Sequence, residues 1–360
     1  MPARGRGSRP GASAARRRRP VPRRTIRARR AALGAVVAGA ALAAIVLALG
    51  GGGPGPAPVT ATAGTTSAAS SRSSSSSTTT TTSARTTTTT ATTSHAPRVP
   101  AVTVTPAAAP ATSWSVVATV HGHPAAWLAE RAGVTLIRFD QRYVHLTLHA
   151  GSVDGGAAGW RYGDQISASE IHLLVAAFNG GFKLTYPAVG FVSGGHVAVA
   201  LSPGLASIVT YTDGTTGVGA WNEGVPTRRK TVYSVLQNQQ LLVDRGAAAA
   251  TVASCIITCW GATIQQLTTV ARSALGVRAD GELLWAAGEQ LTPATLADAL
   301  IGAGVVRAVE LDINPDWVDG YLYTHHRSGP VAVPAVPGQL GIAGQFLAPY
   351  TRDFFAIVAN

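Results

Sequence analysis

The sequence has few charged residues and almost no cysteine. Only 13% of its 360 residues are charged, and Cys255 and Cys259 are the only cysteines. Two cysteines without two further ligands nearby argue against a zinc site. A chain with 46% hydrophobic residues is also too apolar to be disordered throughout.

Acidic residues are absent from the whole N-terminal part of the chain. Residues 1–30 carry twelve Arg, and the first acid is Glu130. From Glu130 to Asn360 the chain contains 17 Asp and Glu and 14 Lys and Arg, a net charge of −3. The net charge of +12 therefore comes from the N-terminal part of the chain. A folded nucleic-acid binder is excluded, since it would lack the basic surface that phosphates require. Residues 1–30 are predicted to form a cytoplasmic, lipid-contacting tail, with nucleic-acid binding by the tail alone as the alternative.

Long hydrophobic runs are also scarce, with one exception. Ala31–Leu49 is uncharged, and 19 residues at 1.5 Å each reach about 28 Å, which spans a bilayer core. The alternative is a cleaved signal peptide, but no convincing small-residue cleavage site follows. We therefore predict a transmembrane signal-anchor at 31–49 in a single-pass protein of the cell membrane. The Arg-rich tail would keep the N-terminus in the cytoplasm and place the C-terminal domain outside.

Residues 50–112 contain almost no large apolar side chains. The segment is rich in Gly and Pro and then in runs such as Ser73–Ser77 and Thr78–Thr82. Such a composition cannot bury a core, so a disordered stalk is predicted. The remaining residues, 113–360, are numerous enough for one large domain.

Alternating and β-branched residues predict that residues 113–360 are mainly strands. The clearest helix is Thr292–Ala303, with Thr292 as N-cap and Pro293 in the first turn. The predicted fold is α+β, with one large mixed sheet and few covering helices. The predicted strands lie near Trp114–Val120, Val134–Phe139, Tyr143–Leu148, Leu173–Phe178, Ile208–Tyr211, Val232–Leu236, Arg272–Val277, Leu283–Ala286 and Val305–Ile313.

The cysteines and histidines are interpreted as structural. A local disulfide between Cys255 and Cys259 is favoured in an oxidising compartment, with free buried thiols as the alternative. His145 and His149 share one strand face and are predicted to be surface residues, with metal ligation as the alternative. No metal site is assigned.

An apolar strand ends in Asn179–Gly180–Gly181. Paired glycines let a backbone bend sharply and approach a ligand closely, and Asn179 offers both a donor and an acceptor. The alternative is an ordinary hairpin with an Asn-Gly turn.

A second strand, Val305–Ile313, changes character along one face. Apolar Val306 and Ala308 are followed on that face by Glu310, Asp312 and Asn314. This pattern predicts a buried strand that opens into a site at its C-terminal end, the alternative being a structural edge. Asp312, Asn314 and Asp316 imitate the start of a calcium loop, but Trp317 stands where Gly is needed, so an EF-hand is rejected.

A third strand begins at Arg272 and runs into a predicted Asp280–Gly281 hairpin turn. A guanidinium at the start of an apolar strand needs an anionic partner, and a phosphate suits its planar fork. The alternative is a lone surface arginine.

In this order, the three segments resemble the phosphodiester glycosidase family. The Asn-Gly-Gly-Phe motif corresponds to Asn179–Phe182, and the Arg-Ser-Ala-x-Gly strand to Arg272–Gly276, followed by Asp280–Gly281. The family's Leu-Asp-Gly-Gly-Gly-Ser segment is reduced to Leu311–Asp312. The resemblance covers about residues 168–357.

The resemblance implies an external hydrolase that cleaves a glycosyl phosphodiester, and this chemistry agrees with the residues found. Such a reaction uses a carboxylate, for which we assign Asp312, with Glu310 as its partner or proton donor. Arg272 would hold the phosphate. No cofactor is assigned, and a divalent cation stays open. The predicted site comprises catalytic Asp312, Glu310 and Arg272, and substrate-binding Asn179, Gly180, Gly181 and Asn314.

The expected partners are a carbohydrate phosphodiester or a cell-envelope glycopolymer, together with the membrane through one helix, and no nucleic acid. The alternative function is a non-catalytic extracytoplasmic module that binds carbohydrate or a cell-wall polymer on the same fold. Hydrolytic turnover separates the two.

Overall fold

Strands dominate the computed structural model, which describes residues 112–155 and 159–360. Apolar residues at every second position give these strands one or two buried faces. In chain order the strands are β1 (Ser115–Val120), β2 (His123–Arg131), β3 (Val134–Phe139), β4 (Val144–His149), β5 (Leu174–Asn179), β6 (Val189–Ser193), β7 (His196–Val199), β8 (Ala206–Tyr211), β9 (Thr216–Ala220), β10 (Val232–Asn238), β11 (Leu241–Asp244), β12 (Ala247–Ala248), β13 (Val270–Arg278), β14 (Leu283–Leu291), β15 (Val305–Glu310), β16 (Gly320–His326), β17 (Gly329–Pro334) and β18 (Phe354–Ala359).

The strands of the described residues form three sheets. An eight-stranded sheet has the order β1-β2-β3-β14-β13-β15-β11-β12. Two five-stranded sheets have the orders β7-β6-β10-β8-β9 and β17-β16-β5-β18-β4. The pairing is antiparallel, for example between β13 and β15 and between β18 and β5.

The large sheet is buried on both faces. Along β14, Leu283 and Trp285 face a core shared with strands of the two smaller sheets. Leu284 and Ala286 face a second core on the opposite side. A helix covers this second side, since Leu296 and the rest of its apolar stripe pack there.

The helices of the described residues are short. They are α1 (Ile256–Cys259) and α2 (Pro293–Gly302), with 3₁₀ turns at Ile264–Gln266 and Gln345–Leu347. Thr292 caps α2 and forms a capping box with Thr295, as its position before Pro293 predicted. No helix between residues 112 and 360, leaving aside residues 156–158, has the length and apolar character to cross a membrane.

The predicted sheet-rich domain with few helices is confirmed, and each predicted strand overlaps an observed one. The single large sheet is a wrong prediction, because the strands divide among three sheets. Burial patterns along a strand report which faces are covered, but they do not report which strands are neighbours. The predicted tail (1–30), membrane span (31–49) and stalk up to residue 111 lie outside the described residues.

The predicted disulfide is present between Cys255 and Cys259. The predicted surface position of His149 is wrong, since its side chain is fully buried and stacks on Phe354 at 4.4 Å between ring centroids. Its Nε2 lies 3.2 Å from Oε1 of Glu170. An aromatic neighbour and a carboxylate, both distant in sequence, therefore make burial of the imidazole favourable.

Candidate functional site

The ends of β5 and β15, the start of β18 and an inner stretch of β13 meet at one place in the domain. Asn179 ends β5 and pairs with Phe354, which begins β18. Glu310 ends β15, and the chain beyond it stays bonded to β13, because Leu311 N donates to Ser273 O at 2.8 Å and Ser273 N donates to Asp312 O at 3.1 Å.

Side chains link these strands more closely still. Asn179 Nδ2 donates to Ser273 Oγ at 2.8 Å, and Ser273 Oγ donates to the carbonyl oxygen of Asp312 at 3.2 Å. Asn179 thus reaches the Asp312 backbone through one hydroxyl. The structure therefore brings together two predicted site residues that are distant in sequence.

Gly180 and Gly181 allow a close approach to the backbone, but the group that approaches is a protein side chain and not a ligand. A Cβ placed on Gly180 would lie 1.9 Å from Oδ2 of Asp353, and Gly181 N donates to that oxygen at 2.9 Å. The hairpin alternative is wrong, because β5 and β6 belong to different sheets. Asp353 is buried, and this burial raises the pKa of its carboxyl to about 7 against the opposing charge of Arg352.

A pocket of about 240 Å³ opens beside this junction. It holds predicted Asp312 and Asn314 together with cationic and aromatic side chains that the sequence analysis did not select. The lining residues are Phe182, Lys183, Tyr186, Gly261, Ala262, Asp312, Ile313, Asn314, Trp317 and Arg352.

The pocket wall is packed tightly at Gly261. This residue has a φ of +91°, and a Cβ there would lie 2.5 Å from Ile313 Cδ1 and 2.8 Å from Phe182 Cζ. Phe182 and Ile313 belong to one small apolar cluster. Gly261 therefore lets a loop close against the apolar floor of the pocket.

The carboxylate of Asp312 is fixed on three sides. Oδ1 accepts from Ile313 N at 2.7 Å and from Asn314 N at 2.9 Å. Oδ2 accepts from Arg352 Nη2 at 3.1 Å. Burial raises the pKa of Asp312 above its usual range, and the Arg352 charge and the two backbone donors limit the rise.

Arg352 connects the pocket to the strands behind it. Its Nη2 also donates to Gly181 O at 2.8 Å, and its Nε is ion-paired with Asp154. The guanidinium carbon lies 5.2 Å from the centroid of the Trp317 ring. With Nε and Nη2 occupied by described residues, the Nη1 side of the guanidinium is what Arg352 can offer to a ligand.

The predicted pair Arg272 and Glu310 lies behind the pocket wall, and neither residue lines the pocket. Arg272 Nη1 donates to Glu310 Oε1 at 2.7 Å, and the two side chains are 0% and 1% exposed. Arg272 also donates from Nε to the carbonyl oxygen of Leu291 and from Nη1 to that of Trp260, both at 3.1 Å. Burial raises the pKa of Glu310 to about 7 despite the Arg272 charge. The lone surface arginine alternative for Arg272 is wrong, and its predicted role in catalysis stays a prediction.

The turn predicted at Asp280–Gly281 is confirmed as the connection between β13 and β14, with Gly281 at a φ of +87°. Asp280 is ion-paired with Arg278 at 3.1 Å. It lines a separate cavity of about 640 Å³, not the pocket at Asp312.

Arg352 was not predicted because no strand was expected at Phe354–Ala359 and because, apart from Arg272, site residues were sought at the C-terminal ends of strands. That rule belongs to parallel sheets, where all strands end at one edge. In an antiparallel pair, the start of one strand lies beside the end of its neighbour, so Thr351–Asp353 before β18 faces the end of β5. The signal was present as polar Arg352 and Asp353 before an apolar run. Lys183 and Trp317 stood inside segments already singled out.

No group of three or more His, Cys, Asp or Glu among residues 112–155 and 159–360 is arranged to hold a metal ion.

Comparisons with known proteins give structural likenesses only. No protein-family model matches the chain, and no curated protein matches it by sequence. The catalytic domain of zebrafish N-acetylglucosamine-1-phosphodiester alpha-N-acetylglucosaminidase, auto-inhibited by its pro-peptide, is 15% identical, with a TM-score of 0.40 over 71% of this chain and 85% of that chain. A Synechocystis protein is 14% identical, with a TM-score of 0.36 over 70% and 64% of the two chains. An exported protein of Burkholderia pseudomallei is 12% identical, with a TM-score of 0.33 over 66% and 75%. Function has to be inferred from the pocket itself.

Proposed function

We propose that the protein is a hydrolase of a sugar phosphodiester and that the pocket at Asp312 is its active site. The observation that carries this proposal is a single small pocket lined by a buried carboxylate, two cationic side chains and three aromatic rings. About 240 Å³ is below the roughly 300–1,000 Å³ of sites for drug-sized ligands. It suits one sugar ring with its phosphate.

Arg352 and Lys183 would bind the phosphate. Both line the pocket, and the Nη1 side of Arg352 is directed to no described partner, whereas Arg272 donates through Nε and Nη1 to protein acceptors and its buried Nη2 lies outside the pocket lining. A phosphodiester carries one negative charge, which two cations at a partly buried surface attract strongly. We therefore move the predicted phosphate contact from Arg272 to Arg352 and Lys183.

Asp312 would act as the general base of the hydrolysis. A water oxygen forms a bond to the anomeric carbon, the bond between that carbon and the phosphate oxygen breaks, and Asp312 takes the water proton. The bonding electrons leave with the phosphate, giving a free sugar and a phosphomonoester. Because a phosphate is a weak base, this leaving group needs little protonation, so one carboxylate in the pocket can suffice.

The sugar would be held by aromatic and amide groups. Trp317 and Tyr186 line the pocket and supply apolar ring surface against which a pyranose can pack. Asn314, also on the wall, supplies hydrogen bonds to hydroxyl groups. Asn179, Gly180 and Gly181 support this wall from behind.

A non-catalytic binding module is the second candidate, and one observation favours it. Asp312 is the single carboxylate among the described residues that line the pocket, and both of its oxygens already accept hydrogen bonds. Glycosidases normally use two carboxyl groups. A site that only binds would keep the same cations and rings.

We propose in addition that the domain works outside the cell, anchored by residues 31–49. The Arg-rich tail, the apolar run and the disulfide support this location, since disulfides persist in oxidising compartments. Protease added to intact cells should remove the C-terminal domain. Its full protection behind a sealed membrane would refute the location.

The test of the activity is hydrolysis of glycosyl phosphodiesters by the purified full-length protein, followed by release of the phosphomonoester. Asp312→Asn should abolish turnover; it also breaks the buried ion pair with Arg352 and so lowers the melting temperature, but the variant should stay folded at the assay temperature. Asp280→Asn, in the separate cavity, is the matched control and should keep full activity. Tight binding without turnover in the wild-type protein would favour the binding module.

A further inference from the structure

The loop after β4 lies directly on the backbone that carries Arg352. Ser152 N donates to Tyr350 O at 2.9 Å, and Val153 N and Asp154 N donate to Thr351 O at 3.1 and 3.0 Å. A Cβ on Gly151 would lie 2.4 Å from the carbonyl carbon of Arg352. This approach of two backbones is closer than any other residue at position 151 would allow.

The loop delivers one carboxylate to the rear of the pocket. Asp154 is 7% exposed and is ion-paired with Arg352 Nε, while it does not line the pocket. Nη2 of the same guanidinium donates to Asp312. Arg352 is therefore clamped between a carboxylate in the pocket and one behind it.

From this arrangement we infer that Asp154 is a positioning residue, which fixes the Arg352 guanidinium so that its Nη1 side faces a phosphodiester in the pocket. The inference rests on the proposed function, because it assigns a task to the same site. A long arginine side chain has many rotamers, and fixing its planar fork before a ligand arrives reduces the entropy lost on binding. Without Asp154, the guanidinium would keep its contact with the Trp317 ring and its hydrogen bonds to Asp312 and Gly181 O, both of which contact Nη2.

The charge of Asp154 cannot itself attract the ligand, since carboxylate and phosphodiester repel each other. What matters in this proposal is the close contact of the Asp154 oxygen with Nε, which is an ion pair rather than a hydrogen bond. Variants that remove this oxygen and a variant that keeps an oxygen without the charge therefore tell a positioning role from a general effect of charge.

The experiment measures binding of dimethyl phosphate to the full-length protein by ligand-observed NMR. Dimethyl phosphate is a phosphodiester with one charge and no sugar. Asp154→Ala removes this oxygen and should weaken binding by about tenfold, because one partner of a buried charge pair is lost. Asp154→Asn keeps an oxygen at the same place and should stay within about threefold of wild type.

Asp140→Ala is the matched control. Asp140 is also a buried carboxylate in an ion pair with an arginine, Arg142, but it lines the separate cavity. It should lose stability and keep wild-type affinity for dimethyl phosphate. If Asp154→Ala does not fold, Asp154→Ser, whose hydroxyl is too short to reach Nε, replaces it with the same expected loss.

Wild-type affinity in folded Asp154→Ala or Asp154→Ser would overturn the inference. Equal losses in Asp154→Asn and Asp154→Ala would also overturn it, since the oxygen would then not be the cause. Absence of dimethyl phosphate binding in the wild-type protein would refute the proposed phosphate site itself, and the inference with it.

Discussion

Arg272 is expected to stabilise the domain rather than to bind phosphate, and its replacement separates the two roles. Arg272→Met removes the charge and keeps much of the side-chain length. It leaves the Glu310 carboxylate without its 2.7 Å partner in a fully buried position. The carbonyl oxygens of Trp260 and Leu291 lose a donor at the same time.

The expected cost follows from these contacts. Removing one partner of a buried ion pair costs about 3–5 kcal/mol, because the remaining charge is neither solvated nor paired. For a domain of about 250 residues, each kcal/mol lowers the melting temperature by roughly 2–4 °C, so a drop of about 6–20 °C is expected. The loss should grow as the pH rises above 7, because the pKa of Glu310 is about 7 beside Arg272 and is higher still without this cation, so that the variant resists ionisation more than wild type.

The assay is thermal unfolding of the wild-type protein, Arg272→Met and the double variant Arg272→Met/Glu310→Gln, followed by circular dichroism at about pH 7 and pH 9. The double variant should recover part of the loss at pH 7, since it buries no charge at this position. An Arg272→Met variant that melts within 2 °C of wild type and has lost phosphodiester binding would refute this reasoning. It would return the phosphate contact to Arg272.

Three further outcomes are expected. Arg352→Lys should raise KM for a phosphodiester more than for a neutral glycoside, measured by steady-state kinetics, because an ammonium group cannot hold Asp312 and a phosphate with separate nitrogens; equal effects on both substrates would count against it. Gly180→Ala should lower the urea midpoint by an amount corresponding to about 1–3 kcal/mol, since its Cβ would overlap the Asp353 carboxylate, and an unchanged midpoint would contradict the packing. Buried Glu170 has its pKa lowered to about 2, because hydrogen bonds and charge from His149 and hydrogen bonds from Ser167 outweigh burial, which alone would raise it. The contribution of ionised Glu170 to folding stability is then complete above about pH 4.5 and declines as the pH falls towards 2. The difference in urea midpoint between wild type and Glu170→Gln should therefore shrink from pH 6 to pH 3. A constant difference would exclude this linkage.

Local chemistry was sufficient to predict several parts of the domain. Thr292 before Pro293 identified the start of α2, because a cap and a fixed φ act within one turn of chain. Asp280–Gly281 identified the turn between β13 and β14 for the same reason. The change from apolar to polar residues before Asp312 located the pocket wall, since every second residue of a strand shares its environment.

Only the tertiary structure decided which side chains meet at the site. Arg352 lies beside Asp312 because β18 runs antiparallel to β5, and no pattern within either strand states that pairing. The same holds for Arg272, whose anionic partner is Glu310 on the neighbouring strand and not a ligand. The sequence by itself predicted nine of the eighteen strands of the described residues, the capped helix and polar residues near the ends of those strands. The pairing of distant strands decided that Arg352 serves the pocket, while Arg272 is enclosed behind it.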